Sequence, residues 1–325
     1  MKRRTFLSLT LAIASLPRSV AAQGAAKAAR IGWLTAQREA SLTPFLAALR
    51  AAFVALGYTE GRNLLIHYRY GDDDLERVPE LAAELVRLPV DLIMAQGAAV
   101  AVIAKLGLPV PVVYVFSGDP VSAGLADSLA RPRGNMTGLT FMAAELNGKR
   151  LELIREIIPG LRRVALVANP AHPGEHLERD YTREYGRQLG LRIDYFATRT
   201  RDELNEAFAT MAKNPPQTIL LFADGFAIQY RQSIIDFGLS HRAPVISGWP
   251  VFARSGALLT YGPHLASSYQ RMAHYVDRIL KGARPSDLPI EQPTKFELVV
   301  NRRTAKSLGL EVPASVLLRA DEVIE

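Results

Sequence analysis

The sequence predicts an α/β protein made of two doubly wound parallel-sheet lobes joined by a multi-strand hinge. Three observations predict it. After Arg30, short β-branched or apolar runs alternate with amphipathic stretches of 10 to 16 residues, as strands alternate with crossover helices. This alternation occurs in two consecutive sets of four strand candidates. A Gly-bounded extended segment at 134–140 separates the sets, and a second extended segment follows at 257–261. One sheet of eight or more strands is the competing architecture.

In the first set the strands are expected at 31–34, 64–68, 91–94 and 112–116. The spacing predicts a helix over 44–56, with Thr43 as its cap, Pro44 at the first helical position and Gly57 as its stop. Phe45, Leu49, Ala52, Phe53 and Leu56 share one face of it. In the second set the strands are expected at 164–167, 191–196, 218–222 and 245–246, with helices at 175–189, 201–213 and 229–241. Helices at 144–158 and 265–280, a strand at 296–300 and a helix reaching Leu308 complete the pattern. The lobes are therefore expected to comprise 29–140 plus 263–291, and 141–262 plus 292–325. Repeated crossing between lobes restricts their motion to a hinge.

Residues 1–22 read as a cleaved signal peptide. Lys2, Arg3 and Arg4 precede a short apolar stretch at 7–16, and Val20, Ala21 and Ala22 supply a small-residue cleavage site. Ten apolar residues are too few to span a bilayer, which takes about 20. Arg3-Arg4-Thr5-Phe6-Leu7 also fits a twin-arginine signal, whereas a general secretory signal is the plainer reading. Either route leads to the periplasm. The leader carries four of the seven net positive charges, so the remaining chain has no strong basic balance and no nucleic-acid footprint. The chain has no cysteine, which removes both a disulfide framework and a lipid anchor. A freely diffusing monomer stabilised by packing alone is expected.

In open parallel sheets, ligands bind beyond the carboxyl ends of the strands, where helix N-termini also point. In the first set the residues there are Thr35, Gln96, Gly97, Ala98, Ser117 and Asp119. Gly97 and Gly118 allow close backbone approach, and helices starting near Ala98 and Val121 would direct positive dipole ends at an anion. In the second set they are Asn169, Asp224 and Trp249, which suit a cationic or donor group. Thr137 and Tyr261 lie on the two crossing segments. A ligand with a carboxylate and an ammonium, most simply an amino acid, fits both walls. Trp33, Phe116, Trp249 and Tyr261 are candidate apolar walls. The same loops need Gly, Asn, Asp and Ser for turns and caps in any protein, and capping is the first reading of Asp119.

His172 and His176 are four apart, but Pro173 and Gly174 between them oppose helix there, and no third ligand is in view. No metal and no cofactor are expected. There is no G-x-G-x-x-G after a strand, no phosphate loop, and Ser117 lacks a hydrolase elbow. An enzymatic role is therefore not expected; an exported enzyme of doubly wound fold and a solute sensor are the alternatives.

Several segments together resemble one family. They are Ala55-Leu56-Gly57-Tyr58-Thr59-Glu60-Gly61-Arg62-Asn63, Gly118-Asp119-Pro120-Val121 with Gly124-Leu125, and Arg131-Pro132-Arg133-Gly134-Asn135-Met136-Thr137-Gly138. Further ones are Ala143-Ala144-Glu145-Leu146, Lys149-Arg150-Leu151-Glu152-Leu153, 292–301 and 304–310. Over its whole length the chain resembles ABC transporter substrate-binding proteins of the tryptophan/tyrosine-receptor-like type, within the type I periplasmic binding fold. The resemblance implies a two-lobed receptor that closes on a small solute, without converting it, and docks on an inner-membrane permease. It also implies amino acids, aromatic ones included, as the usual ligand guess. Residues 35–40 and 247–250 depart from the family's common pattern at presumed ligand loops.

Overall fold

A computed structural model describes residues 28–72, 74–141 and 144–325 of the chain. The expected signal peptide lies outside the described residues. Strands β1 (Ala29–Thr35), β2 (Leu64–Tyr70), β3 (Leu92–Gln96) and β4 (Val112–Phe116) belong to the first sheet. A small antiparallel pair, β5 (Ala126–Ser128) and β6 (Arg131–Pro132), interrupts the chain before β7 (Met136–Thr140) completes that sheet. The order is β2-β1-β3-β4-β7, with every pairing parallel.

Helices α1 (Glu39–Ala55), α2 (Val78–Val86) and α3 (Ala99–Leu106) follow β1, β2 and β3. Alternate side chains of each strand point to opposite faces. Ile31, Trp33, Leu92 and Met94 therefore pack with Leu42, Leu46, Leu49 and Phe53 of α1. Leu34, Ile93, Ala95 and Tyr114 pack on the other face with Leu81, Leu85, Val100 and Ile103 of α2 and α3.

Helix α4 (Glu145–Ile157) opens the second unit. It continues through β8 (Arg163–Ala168), α5 (Glu175–Gln188), β9 (Arg192–Ala197), α6 (Arg201–Lys213) and β10 (Thr218–Leu221). Next come α7 (Gly225–Gln229), α8 (Arg231–Ser240), β11 (Val245–Ser247), α9 (Pro250–Arg254) and β12 (Leu259–Pro263). Helix α10 (Leu265–Leu280) precedes β13 (Phe296–Asn301), α11 (Arg302–Leu308), α12 (Ala314–Leu317) and β14 (Glu322–Ile324). The second sheet runs β14-β13-β12-β11-β10-β8-β9, parallel except where β12 meets β13. The architecture is thus two separate sheets, and the single-sheet alternative is excluded.

Although α10 follows a strand of the second sheet, it packs on the first. Its buried stripe of Tyr269, Met272, Ala273, Tyr275, Val276 and Ile279 joins α1 and the Trp33 face of β1. The chain then returns, hydrogen-bonding to β7 on the way. Glu291 donates its N–H to the Gly138 carbonyl (3.0 Å) and accepts from the Thr140 N–H (2.9 Å). Beyond that, the His264 N–H donates to the Lys295 carbonyl (2.9 Å). Successive crossings are therefore tied laterally, which permits bending and resists sliding.

Three expectations about elements require correction. Helix α1 begins at Glu39, so Pro44 lies inside it and Thr43 is not its cap. Pro44 removes one amide early in the helix, and the Thr43 hydroxyl bonds back to the Glu39 carbonyl (3.4 Å). No helix starts at Val121; residues 121–124 form a turn held by Asp119, which accepts from the N–H groups of Val121 (3.2 Å) and Ser122 (2.9 Å). The segment expected as one helix at 229–241 is divided at Tyr230.

Candidate solute-binding cleft

Each sheet has a point where the strand order reverses. In the first sheet it lies between β1 and β3, and in the second between β8 and β10. Connections leave such a point in opposite directions and open a crevice at the carboxyl ends of the strands. Thr35 and Gln96 end the strands at the first point, and Asn169 and Asp224 lie just past those at the second. These four of the expected residues are therefore placed by topology at the two crevices.

The first-lobe crevice is neutral. Thr35 is fully buried and donates its hydroxyl to the Gln96 Oε1; it also accepts the Gln37 N–H (3.1 Å). Gln96 in turn donates to the Gln37 Oε1 (3.4 Å). Gly97 follows with φ +62°, in the left-handed region, and a Cβ there would meet nothing within 4 Å. Its conformation needs glycine, and the space beside it is open. Ala98 caps α3 without a side-chain bond.

Gln96 and Gln37 line a narrow pocket of about 40 Å³ that continues between the lobes. Its walls are mostly apolar: Leu42 and Phe45 from α1, Phe141 from the first crossing, Ile228 from α7, Trp249 and Val251 beside α9, and Leu265 and Tyr269 from α10. Trp249 is the expected aromatic wall. Its backbone is placed by close approach on both sides of Gly248, where a Cβ would lie 2.7 Å from an Arg150 nitrogen and where the carbonyl would lie 1.9 Å from a Cβ on Gly262. Gly262 admits no side chain because it meets backbone, whereas a side chain at Gly248 would displace the Arg150 guanidinium.

The second-lobe crevice is charged and tightly bonded. Asp224 is 5% exposed and accepts the Ala227 N–H (2.7 Å), capping α7. Burial raises its pKa, while His172, the Ala227 N–H and the Asn169 side chain act in the opposite direction. Asn169 also shapes its own loop, since Oδ1 accepts the Ala171 N–H (3.0 Å) and its carbonyl accepts the His172 N–H (3.0 Å). Below them lies Arg150 of α4, donating to the Tyr261 carbonyl (2.8 Å) and to Asn147. Burial depresses the Arg150 guanidinium to about 10, partly offset by Glu178. Burial also pushes Glu178 up to about 7, against the opposing pull of Arg150 and of the nearby Asn147 amide.

The lobes touch where Ser117 faces His172, with Oγ and Nε2 2.9 Å apart. Beside this contact the Asp119 N–H donates to the Pro173 carbonyl (3.0 Å), and Phe116 stacks on the His172 ring at 6.2 Å between centroids. Ser117 thus lies at the cleft as expected, in a different capacity from an anion cradle, because no helix N-terminus follows it.

Three expected ligand residues are occupied elsewhere. The Asp119 carboxylate is the centre of its own turn, and it also accepts the Ser122 hydroxyl (2.6 Å). Thr137 is fully buried and donates to the Leu288 carbonyl (2.6 Å), fastening β7 to the returning segment. The Tyr261 ring packs with the second-lobe core and lies 6.1 Å from Phe296. Trp33 and Phe116 likewise belong to the two first-lobe cores. Strand position alone does not separate these faces. His172, Arg150, Phe45, Phe141 and Tyr269 were missed. Phe45 and Tyr269 sit on helix faces that read as core, and they are core and wall at once.

Comparison with known proteins supplies the decisive observation: the family model for ABC transporter substrate binding protein matches residues 39–324. The chain belongs to that family. Its members are solute-binding components of ABC transporters and not enzymes. The chain is similar to a tyrosine-binding protein of Clostridioides difficile (strain R20291), with 22% identity over 257 residues, covering 78% of this chain and 73% of the relative. Among solved structures it resembles an ABC domain from Streptococcus pneumonia in complex with L-Trp, at TM-score 0.84 and 22% identity, covering 92% of this chain and all of that one. It also resembles the ligand-free, open structure of a substrate binding protein with adhesive properties from Clostridium difficile. That match has TM-score 0.69 and 20% identity, covering 91% of this chain and 99% of the other. These likenesses establish the type I periplasmic binding fold.

Proposed function

We propose that this substrate-binding protein captures an amino acid or aromatic amino-acid-like solute in the interlobe cleft, in the periplasm, and delivers it unchanged to an inner-membrane ABC permease. The observation that carries this reading is the pocket that joins the first lobe's switch point to Trp249 of the second, with Phe45, Phe141 and Tyr269 around it. A planar apolar group suits those walls, while the Gln37 and Gln96 amides can bond a polar end. Asp224 caps α7, the helix whose Ile228 lines the pocket, so it supplies the second lobe's acid for a donor group of the solute. Relatives described as binding tyrosine and L-Trp support the choice of solute class. The leader-like residues 1–22 support export.

Capture follows from differential contact. A solute touching both lobes gains interactions only in the closed form, so it shifts the hinge equilibrium towards closure. No bond is made or broken. The test is a thermal-shift screen of protein unfolded and refolded to strip bound solute, against amino acids, aromatic acids, sugars and ions. Tyrosine, tryptophan or a related aromatic acid should raise the melting temperature by mass action. A response confined to sugars or inorganic ions would overturn the solute class.

A further inference from the structure

We propose that His172 is a proton-sensitive catch between the lobes: neutral, it seats against Ser117 and Phe116 and holds the cleft shut, and protonated, it favours opening. The catch is built from both sides. In the first lobe, β4 ends at Phe116, and Ser117 presents its hydroxyl 2.9 Å from the His172 Nε2 while the Phe116 ring stacks beside the imidazole, 6.2 Å between centroids. The Thr140 hydroxyl anchors this loop through the Gly118 carbonyl (2.9 Å). In the second lobe, the Asn169 turn, Pro170, Pro173 and Gly174 (φ +86°) fix the loop that carries His172. The Glu175 N–H closes it by donating to the His172 carbonyl (3.0 Å).

The groups that face the ring set the sign. Among the described residues, from the first lobe it meets the Ser117 hydroxyl and the Phe116 ring, while the Asp119 carboxylate is engaged in its own turn. From the second lobe it meets Asp224, at the start of α7, and Glu175, at the start of α5, the latter paired with Arg179 (3.3 Å). Enclosure between Phe116 and the second lobe lowers the pKa of His172, and the two acids only partly offset this. A protonated ring could still donate to Ser117, so the hydrogen bond itself is not what acid removes. The cost is that of enclosing an imidazolium, which opening to water relieves.

Because closure lowers the imidazole pKa, the open form binds the proton more tightly. The closed form is therefore fully favoured above the ordinary imidazole value of about 6.5 and loses ground as pH falls through it. The closed-to-open ratio changes by about tenfold for each unit by which closure lowers that pKa. Solute release would then be assisted wherever the periplasm turns acid.

The experiment needs no solute, so its outcome is independent of the solute reading. The chain has no cysteine, so Glu76→Cys and Arg201→Cys, both exposed and both just past edge strands, place spin labels on opposite lobes. Distance distributions are recorded from pH 8 to pH 5 in otherwise unchanged protein and with His172→Gln or Ser117→Ala added. The expected result is a closed population that falls several-fold on acidification, a pH-independent population for His172→Gln, and a smaller but still pH-dependent one for Ser117→Ala. An acid-strengthened closed state would show that His172 is buried as an ion pair with Asp224 and would overturn the proposal. So would a wild-type distribution that is flat with pH, or an unchanged slope in His172→Gln.

Discussion

The two walls of the cleft stand at equivalent switch points but are built from different chemistry. The first-lobe wall is a chain of neutral groups, Thr35 to Gln96 to Gln37, beside an apolar core. The second-lobe wall gathers Asp224, His172, Glu178 and Arg150, with Glu175 behind them. A neutral hydrogen-bonded wall keeps its shape at any moderate pH. A buried charged one responds to protons and to any charge the solute brings. On the proposed function, shape selection would rest on the neutral wall and the aromatic side chains of both lobes, and charge selection on the second lobe.

Breaking the charged wall should have the largest effect. Arg150→Ala leaves Asn147 and the Tyr261 carbonyl short of a donor and Glu178 without its cation. It should destabilise the protein by about 3 kcal/mol, read by chemical denaturation. Part of that loss should be recovered below pH 7, because Glu178, pushed up to about 7 by burial, takes a proton there and no longer needs the cation. A loss that is equal at pH 8 and pH 6 would show that Glu178 is not coupled to Arg150.

Next in size, Trp249→Ala removes an apolar wall from the pocket without touching either polar network. Affinity for whichever aromatic solute the thermal screen identifies should fall about 30-fold, equivalent to about 2 kcal/mol, by calorimetry. Unchanged affinity would move the site away from Trp249. Gln96→Leu tests the neutral wall. It strands the buried Thr35 hydroxyl and should lower stability by about 1 to 2 kcal/mol with little pH dependence, in contrast to Arg150→Ala.

The smallest effect is expected for Gly97→Ala. The added methyl meets open space, so the cost is backbone strain alone, about 1 kcal/mol. If solute affinity falls by more than the stability does, the open space beside Gly97 is where the solute approaches. If the two fall alike, Gly97 serves only the turn.

Much of the fold was legible because strand and helix periods are local properties. The runs at 112–116, 201–213 and 265–280 were expected where β4, α6 and α10 occur. Strand β14 and the β5–β6 pair were not, since two or three residues give no period to read. Pro44 misled because a proline near a helix start is compatible with the first turn and also with a position just beyond it.

At the candidate site, the positions of Thr35, Gln96, Asn169 and Asp224 by the crevices were legible because they lie at or just past the ends of readable strands. Asp119, Thr137 and Tyr261 looked equivalent to them by the same rule, but their side chains serve a turn, a strand fastening and a core. His172 lies beyond β8 in a turn whose prolines suggested only a loop; its partner is 55 residues away on the other lobe.

The sequence by itself determined the two α/β sets, the strand ends that form the crevices and the absence of any disulfide, because these depend on residue type and near-neighbour spacing. Only the tertiary structure decided that Phe45 and Tyr269 line a pocket shared with Trp249, and that His172 meets Ser117. Those contacts join residues far apart along the chain, and their energy depends on what surrounds each group once the lobes come together.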